Sequence, residues 1–252
     1  MRNHPPTGAR LTPSGRRLFA EFLGSGLLVA VVVGSGIAAQ QLSPGDIGLQ
    51  LLENSTATVF GLAVLILMFG PVSGAHFNPV VSVADWFLGR RTGAGLSLPE
   101  LAGYLVAQCA GGIGGALLAD AMFGVGLQLS TKHRATGGHL LGEVVATAGL
   151  LVLIFALART HRGALAGPAV GAYIGAAYWF TSSTSFANPA VTIGRIFSDT
   201  FAGIAPSSVP GFIGMQVLGL VAGVAIVLIL YPGAGDQADE VVVPHLHSEP
   251  VD

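Results

Sequence analysis

Charge is what this sequence has least of. Of its 252 residues, 10% are Asp, Glu, Lys or Arg, against about 25% in soluble domains. These few are clustered, and none falls in residues 22–45, 54–84, 101–119, 144–158, 163–194 or 200–235. Such uncharged stretches exclude an ordinary soluble domain, and the 52% apolar content excludes a disordered chain. A net charge of -2 gives nucleic acid nothing to bind. Only one cysteine is present, Cys109, so no disulfide can form within the chain. It sits in an apolar run and reads as a small packing residue. The apolar runs carry no Ser-His-Asp set, His-x-x-x-His pair or cluster of metal ligands, so neither an embedded enzyme nor a metal or cofactor site is expected. Glycine is the opposite case: there are 37, about twice the usual share and without the triplet period of collagen.

The apolar runs resolve into six candidate spans, at 18–39, 54–71, 100–119, 140–158, 164–182 and 210–231. Each is near the ~20 residues that cross a ~30 Å hydrocarbon core. Two further segments, Asn78–Leu88 and Asn188–Ser198, reach only about 16 Å as helices, half a bilayer. The polar start, residues 1–17, has no apolar stretch ending in a small-residue cleavage site, so the first span is expected to stay in the membrane. Residues 232–252 read as an acidic, disordered tail in which His245 and His247 are solvated rather than metal-bound. With six spans both termini share a side. Arg2, Arg10, Arg16, Arg17, Arg90, Arg91, Arg159 and Arg162 then lie with them, while Lys132, Arg134 and Arg195 lie opposite. The positive-inside rule places the termini in the cytoplasm; the expected location is the plasma (inner) membrane.

The chain also repeats itself, about residues 18–120 against 139–231. Gln108, Gly111 and Gly115 form Q-x-x-G-x-x-x-G in the third span, and Gln216, Gly219 and Gly223 repeat it in the sixth. Glu21 with Ser25 matches Glu143 with Thr147. Asn78-Pro79-Val80 follows the second span, and Asn188-Pro189-Ala190 follows the fifth. Three spans per half is an odd number, so the halves have opposite topology. Inverted repeats place special sites near the midplane, between the halves. The expected fold is an all-α membrane protein: six transmembrane helices plus two re-entrant half-helices.

Asn is a favoured N-cap and Pro a favoured first helical residue, so each Asn-Pro pair opens a short segment that cannot span. Non-helical backbone at that depth is tolerated only where it is buried or lines a wet cavity. Two helix N-termini meeting at the midplane carry partial positive charge, nominally about half a unit each. They repel cations and protons, and offer amide donors to a neutral solute.

With these motifs in place, residues 18–231 resemble the aquaporin and aquaglyceroporin channels, also called major intrinsic proteins. The resemblance rests on Ser73-Gly74-Ala75-His76-Phe77-Asn78-Pro79-Val80, on Phe186-Ala187-Asn188-Pro189-Ala190, on Glu21 and Glu143, and on the two glutamine–glycine patterns. It implies homotetramers with one pore per subunit, passing water or small neutral solutes passively. It also implies that Glu21 and Glu143 accept backbone N–H groups from the re-entrant loops, with His76 positioning the first loop. A pH-sensing role for His76 is the alternative. The competing reading of the glutamates is a proton relay in a secondary transporter, since such residues cost about 2.5–3.5 kcal/mol at a bilayer centre and usually do work there.

Two departures bear on selectivity. Val80 stands where the family usually has Ala, and Val191 stands where it usually has the arginine of the outer constriction. Val supplies neither charge nor donors, so a wider and less polar constriction is expected, suited to glycerol, urea or uncharged metalloid hydroxides such as arsenous acid. Arg195 lies one helical turn beyond Val191 and either charges the outer mouth or pairs with Asp199. The remaining constriction positions depend on the alignment. Motif alignment points to Phe60 and Trp179, counting back from the asparagines points to Thr58 and Ala176, and the loop position falls on Ser185. The paired glycines Gly111/Gly115 and Gly219/Gly223 let helices approach closely, so leucine at Gly115 or Gly223 should prevent folding rather than change selectivity.

Overall fold

A computed structural model describes residues 12–232; Arg2, Arg10 and the acidic tail with His245 and His247 lie outside the described residues. Eight α-helices follow in chain order: α1 (Pro13–Leu42), α2 (Ile47–Ser73), α3 (Pro79–Gly89), α4 (Leu98–Met122), α5 (Gly137–Arg159), α6 (Ala166–Phe180), α7 (Pro189–Gly194) and α8 (Val209–Leu230). Five of them, α1, α2, α4, α5 and α8, are long and apolar enough to cross a membrane. The fifth expected span is shorter than the rest. It is the 15 residues of α6 preceded by a 3-10 turn at Gly163–Leu165, which together reach about 28 Å because a 3-10 turn rises about 2 Å per residue.

Helix starts follow local chemistry. Ser97 and Glu100 cap each other at the start of α4, and Thr136 caps α5. α3 and α7 both begin with Pro after an Asn cap. They differ in length: α3 runs 11 residues, whereas α7 runs 6 and tightens into a 3-10 turn at Arg195–Phe197.

α1 packs on α4, α5 on α8, and α2 on both α1 and α6. Pairings α1–α4 and α5–α8 are the two copies of one arrangement, and glycine makes both. A Cβ at Gly111 would overlap the Phe22 carbonyl oxygen, and one at Gly115 the Gly26 carbonyl oxygen. In the second copy the overlaps are smaller: a Cβ at Gly219 would meet Thr147 Cβ at 2.7 Å and the Val144 carbonyl oxygen at 2.8 Å, and one at Gly223 the Ala148 carbonyl oxygen at 3.0 Å. The two motifs look equivalent in sequence but carry unequal tolerance. Gly115→Ala should abolish the folded, monodisperse protein in detergent, because backbone cannot yield as a flexible side chain can. Gly223→Ala should fold with a loss of about 1–2 kcal/mol, read as a modest fall in melting temperature. Equal behaviour of the two variants would contradict this packing.

Candidate functional site

Each half of the chain holds its re-entrant loop with a buried carboxylate. Glu21 is fully buried. Its Oε1 accepts from Ser73 Oγ at 2.7 Å and His76 N at 3.0 Å; its Oε2 accepts from Phe77 N at 2.8 Å and Gln108 Nε2 at 2.8 Å. Glu143, equally buried, accepts from Phe186 N and Ala187 N, both at 2.9 Å, and from Gln216 Nε2 at 2.6 Å. Each glutamine also reaches into its half-helix, Gln108 to Ser82 Oγ and Gln216 to Thr192 Oγ1, both at 2.9 Å. The pairs recognised as repeats in sequence are therefore one device used twice. On the first copy, Tyr104 adds a hydrogen bond from its hydroxyl to the Ser73 carbonyl at 2.8 Å, and Arg17 donates to that hydroxyl at 3.1 Å while pairing with Glu100.

Turning the loop N–H groups toward the glutamates forces unusual backbone. Ala75 and Phe77 lie at φ of 49° and 49°, and their counterparts Ser185 and Ala187 at 50° and 47°. Non-glycine residues pay of order 1–3 kcal/mol to sit there; charge-assisted bonds to the carboxylates offset that cost. The loops meet through their asparagines. Asn78 Nδ2 donates to the Ala187 carbonyl and Asn188 Nδ2 to the Phe77 carbonyl, each at 2.8 Å. Each side-chain oxygen caps its own helix, Asn78 on Val80 N, Asn188 on Ala190 N and Val191 N. One N–H of each amide is thereby used in the crossing, and the other remains.

A cavity of about 620 Å³, counting the open space at its mouths, runs past this crossing. Asn78 and Asn188 line it with the loop residues 75–77 and 185–187. The rest of the wall is largely apolar, from α1, α2, α5 and α6, and includes Leu62, Ile66, Leu150, Ile154, Val170 and Ile174. One end carries the remaining polar groups: Thr58, whose Oγ1 lies 3.2 Å from the Tyr178 hydroxyl, together with Ser185 and Arg195. Val191 is buried in the same wall. His76 lines the cavity too, its Nδ1 3.0 Å from Ser82 Oγ. The cavity is thus an apolar passage with a few polar groups in its wall, and helix N-termini and amide donors at the asparagine crossing. A neutral hydroxylated molecule can pass by exchanging hydrogen bonds; a cation meets the positive ends of α3 and α7. Neither Glu21 nor Glu143 lines the passage. A proton relay needs a carboxylate that faces the path, and these face backbone N–H groups.

Residues 9–185 match the profile of the major intrinsic protein family. The chain belongs to the major intrinsic protein family. Aquaglyceroporin AqpS of Rhizobium meliloti (strain 1021) is 49% identical over 212 residues, which is 84% of this chain and 88% of that one. The propanediol uptake facilitator PduF of Citrobacter freundii is 30% identical over 184 residues, 62% of this chain and 64% of that one. Among solved structures, the aquaglyceroporin from Plasmodium falciparum superposes with a TM-score of 0.59, covering 90% of this chain and 99% of that one at 20% identity, a likeness of fold. This major intrinsic protein is a multi-pass membrane channel for water or small neutral solutes, not an enzyme. The secondary-transporter alternative finds no support.

The matched segment ends before Asn188, so the second loop's place in the site rests on the geometry above. That geometry also corrects the constriction. Phe60 is 67% exposed on the outer surface of α2 and does not face the cavity; Thr58, two positions and about 200° of helix away, does. Trp179 is 53% exposed, its Nε1 donating to Ser55 Oγ at 3.2 Å. Ala176 is exposed as well. Of the α6 residues that line the cavity, Val170, Ile174 and Tyr178, the one lying against Thr58 is Tyr178, which neither alignment chose. Arg195 makes no ion pair with Asp199, whose carboxylate accepts from Thr131. Asp85, at the corresponding register of α3, accepts from Leu96 N at 2.8 Å. In the α4–α5 loop, partial desolvation and the nearby cations Arg134 and Arg195 draw the Lys132 ammonium down to about 8.

Proposed function

We propose that the channel passes uncharged solutes larger than water, with glycerol, urea and uncharged metalloid hydroxides such as arsenous acid as the class, and excludes ions and protons. The observation that carries this reading is Val191. It lies buried in the cavity wall on the first turn of α7, where a longer, charged side chain would project into the passage. Val leaves that position apolar and short, so the solute's carbon face has an apolar wall to lie against. The names of the relatives agree, one an aquaglyceroporin and one a propanediol facilitator.

The end of the cavity bounded by Thr58, Tyr178, Ser185, Val191 and Arg195 is read as the outer constriction, with Asn78, Pro79, Val80, Asn188, Pro189 and Ala190 at the pore midplane. Both termini are cytoplasmic, as the arginine distribution supports, and the membrane is the plasma (inner) membrane. The assembly is a homotetramer, with Phe60, Trp179 and Phe180 turned to lipid or to a neighbouring subunit.

Replacing valine with arginine tests the carrying observation. In reconstituted vesicles, Val191→Arg should cut glycerol and arsenous acid permeability by about tenfold or more, and water permeability far less. An equal fall for all three solutes would show that residue 191 does not set the width of the passage.

A further inference from the structure

Register seven after each pore asparagine holds opposite charges in the two halves: Asp85 in the first and Arg195 in the second. Their fates differ. Asp85 is bonded to the Leu96 backbone and forms no part of the cavity wall. Arg195 is 2% exposed and lines the cavity. Its Nε donates to the Ala202 carbonyl, and its guanidinium carbon sits 3.5 Å from the centre of the Phe186 ring. Among the described residues, neither terminal nitrogen donates a hydrogen bond to the protein; the Nε bond is the side chain's only one. The other cations nearby are spent differently. Arg134 donates to the Gly203 and Phe201 carbonyls, and Lys132 Nζ to Phe201. Arg195 alone of these three lines the passage. Beside it, the buried Ser185 hydroxyl also has no protein partner, where the first repeat has the methyl of Ala75. A fixed, stacked guanidinium with an unused edge is a fork that matches acceptor oxygens.

We propose that Arg195 is a specificity-determining residue of this channel: its free guanidinium edge, with the Ser185 hydroxyl, takes the carbonyl or hydroxyl oxygens of the entering neutral solute, and its charge turns back cations. This deepens the pore reading above and rests on it. The two functions of the guanidinium separate by substitution. Lysine keeps the charge but not the planar fork; glutamine keeps neither the charge nor the two-edged donor.

The test reconstitutes wild type, Arg195→Lys and Arg195→Gln in vesicles. It measures permeability to urea and to thiourea, whose sulfur is the weaker acceptor, together with potassium leak. Wild type should pass urea above protein-free vesicles and prefer it to thiourea. Both variants should lose that preference by about fivefold, and only Arg195→Gln should raise potassium leak, by about tenfold. Because Arg195 also holds the Ala202 carbonyl, thermal melting checks the fold. Should the glutamine variant not fold, the lysine variant carries the urea-to-thiourea readout by itself. Folded variants with an unchanged ratio and unchanged leak, or with all fluxes reduced in proportion, would make Arg195 a loop strut and overturn the proposal while leaving the pore intact. Wild-type urea flux at the protein-free level would overturn the pore reading itself.

Discussion

Glu143→Gln is expected to lose thermal stability and solute flux together. The carboxylate accepts three donors, two of them backbone N–H groups of a loop held at positive φ. An amide in its place has one oxygen for those donors and turns its own N–H₂ toward the rest. Buried donors left unsatisfied cost about 1–3 kcal/mol each, so a loss of about 4 kcal/mol is expected. Glu143→Ala should do the same or worse, and Glu21→Gln should match it, since Glu21 holds the first loop with four donors. The measurement is melting temperature in detergent beside glycerol flux in vesicles. A Glu143→Gln protein that melts like wild type yet carries no flux would assign the carboxylate to transport chemistry rather than to holding the loop.

Asn188→Asp is expected to act on charge selectivity instead. Aspartate still caps α7, since either carboxylate oxygen accepts from Ala190 N and Val191 N. It cannot donate to the Phe77 carbonyl, and it puts a negative charge against the positive end of α7. At about 5 Å and an effective dielectric of about 20, one charge shifts a cation's energy by about 3 kcal/mol, roughly a hundredfold in partitioning. Sodium leak should rise steeply while neutral-solute flux falls only moderately, through loosening of the crossing. Asn78→Asp should behave alike, because the Ala187 carbonyl is its partner in the mirrored contact. A folded Asn188→Asp protein with unchanged leak and unchanged water flux would remove Asn188 from the mechanism.

The sequence exposed most of this architecture because the decisive features are local or repeated. Asn-Pro before an apolar segment too short to span identifies a half-helix, and its second occurrence identifies the inverted pair. Glu21 and Glu143 stood out because carboxylates inside apolar runs need partners, and their glutamine counterparts recur at matching places. What stayed hidden was rotation. Which residue of α2 or α6 faces the passage depends on helix phase, and one residue changes phase by about 100°. Phe60 and Thr58 differ by two positions, and Tyr178 lies between the two residues that the alignments favoured, Ala176 and Trp179. The short α6 and its 3-10 entry at Gly163–Leu165 shift the count from either end. Asymmetry between the repeats was hidden for a related reason. Gly115 and Gly223 share a motif, but only the packing distances show that an added methyl overlaps backbone outright at the first and meets it in tight contact, needing a shift of a few tenths of an ångström, at the second.

The central claim is a passive passage between paired amide-tipped half-helices. It is tested most directly by stopped-flow light scattering of proteoliposomes in a glycerol gradient, with identical ions inside and out and an ionophore present. The expected result is rapid re-swelling well above protein-free vesicles, unchanged by the ionophore and accompanied by no ion leak. Glycerol entry that appears only when a proton or sodium gradient is imposed would contradict it.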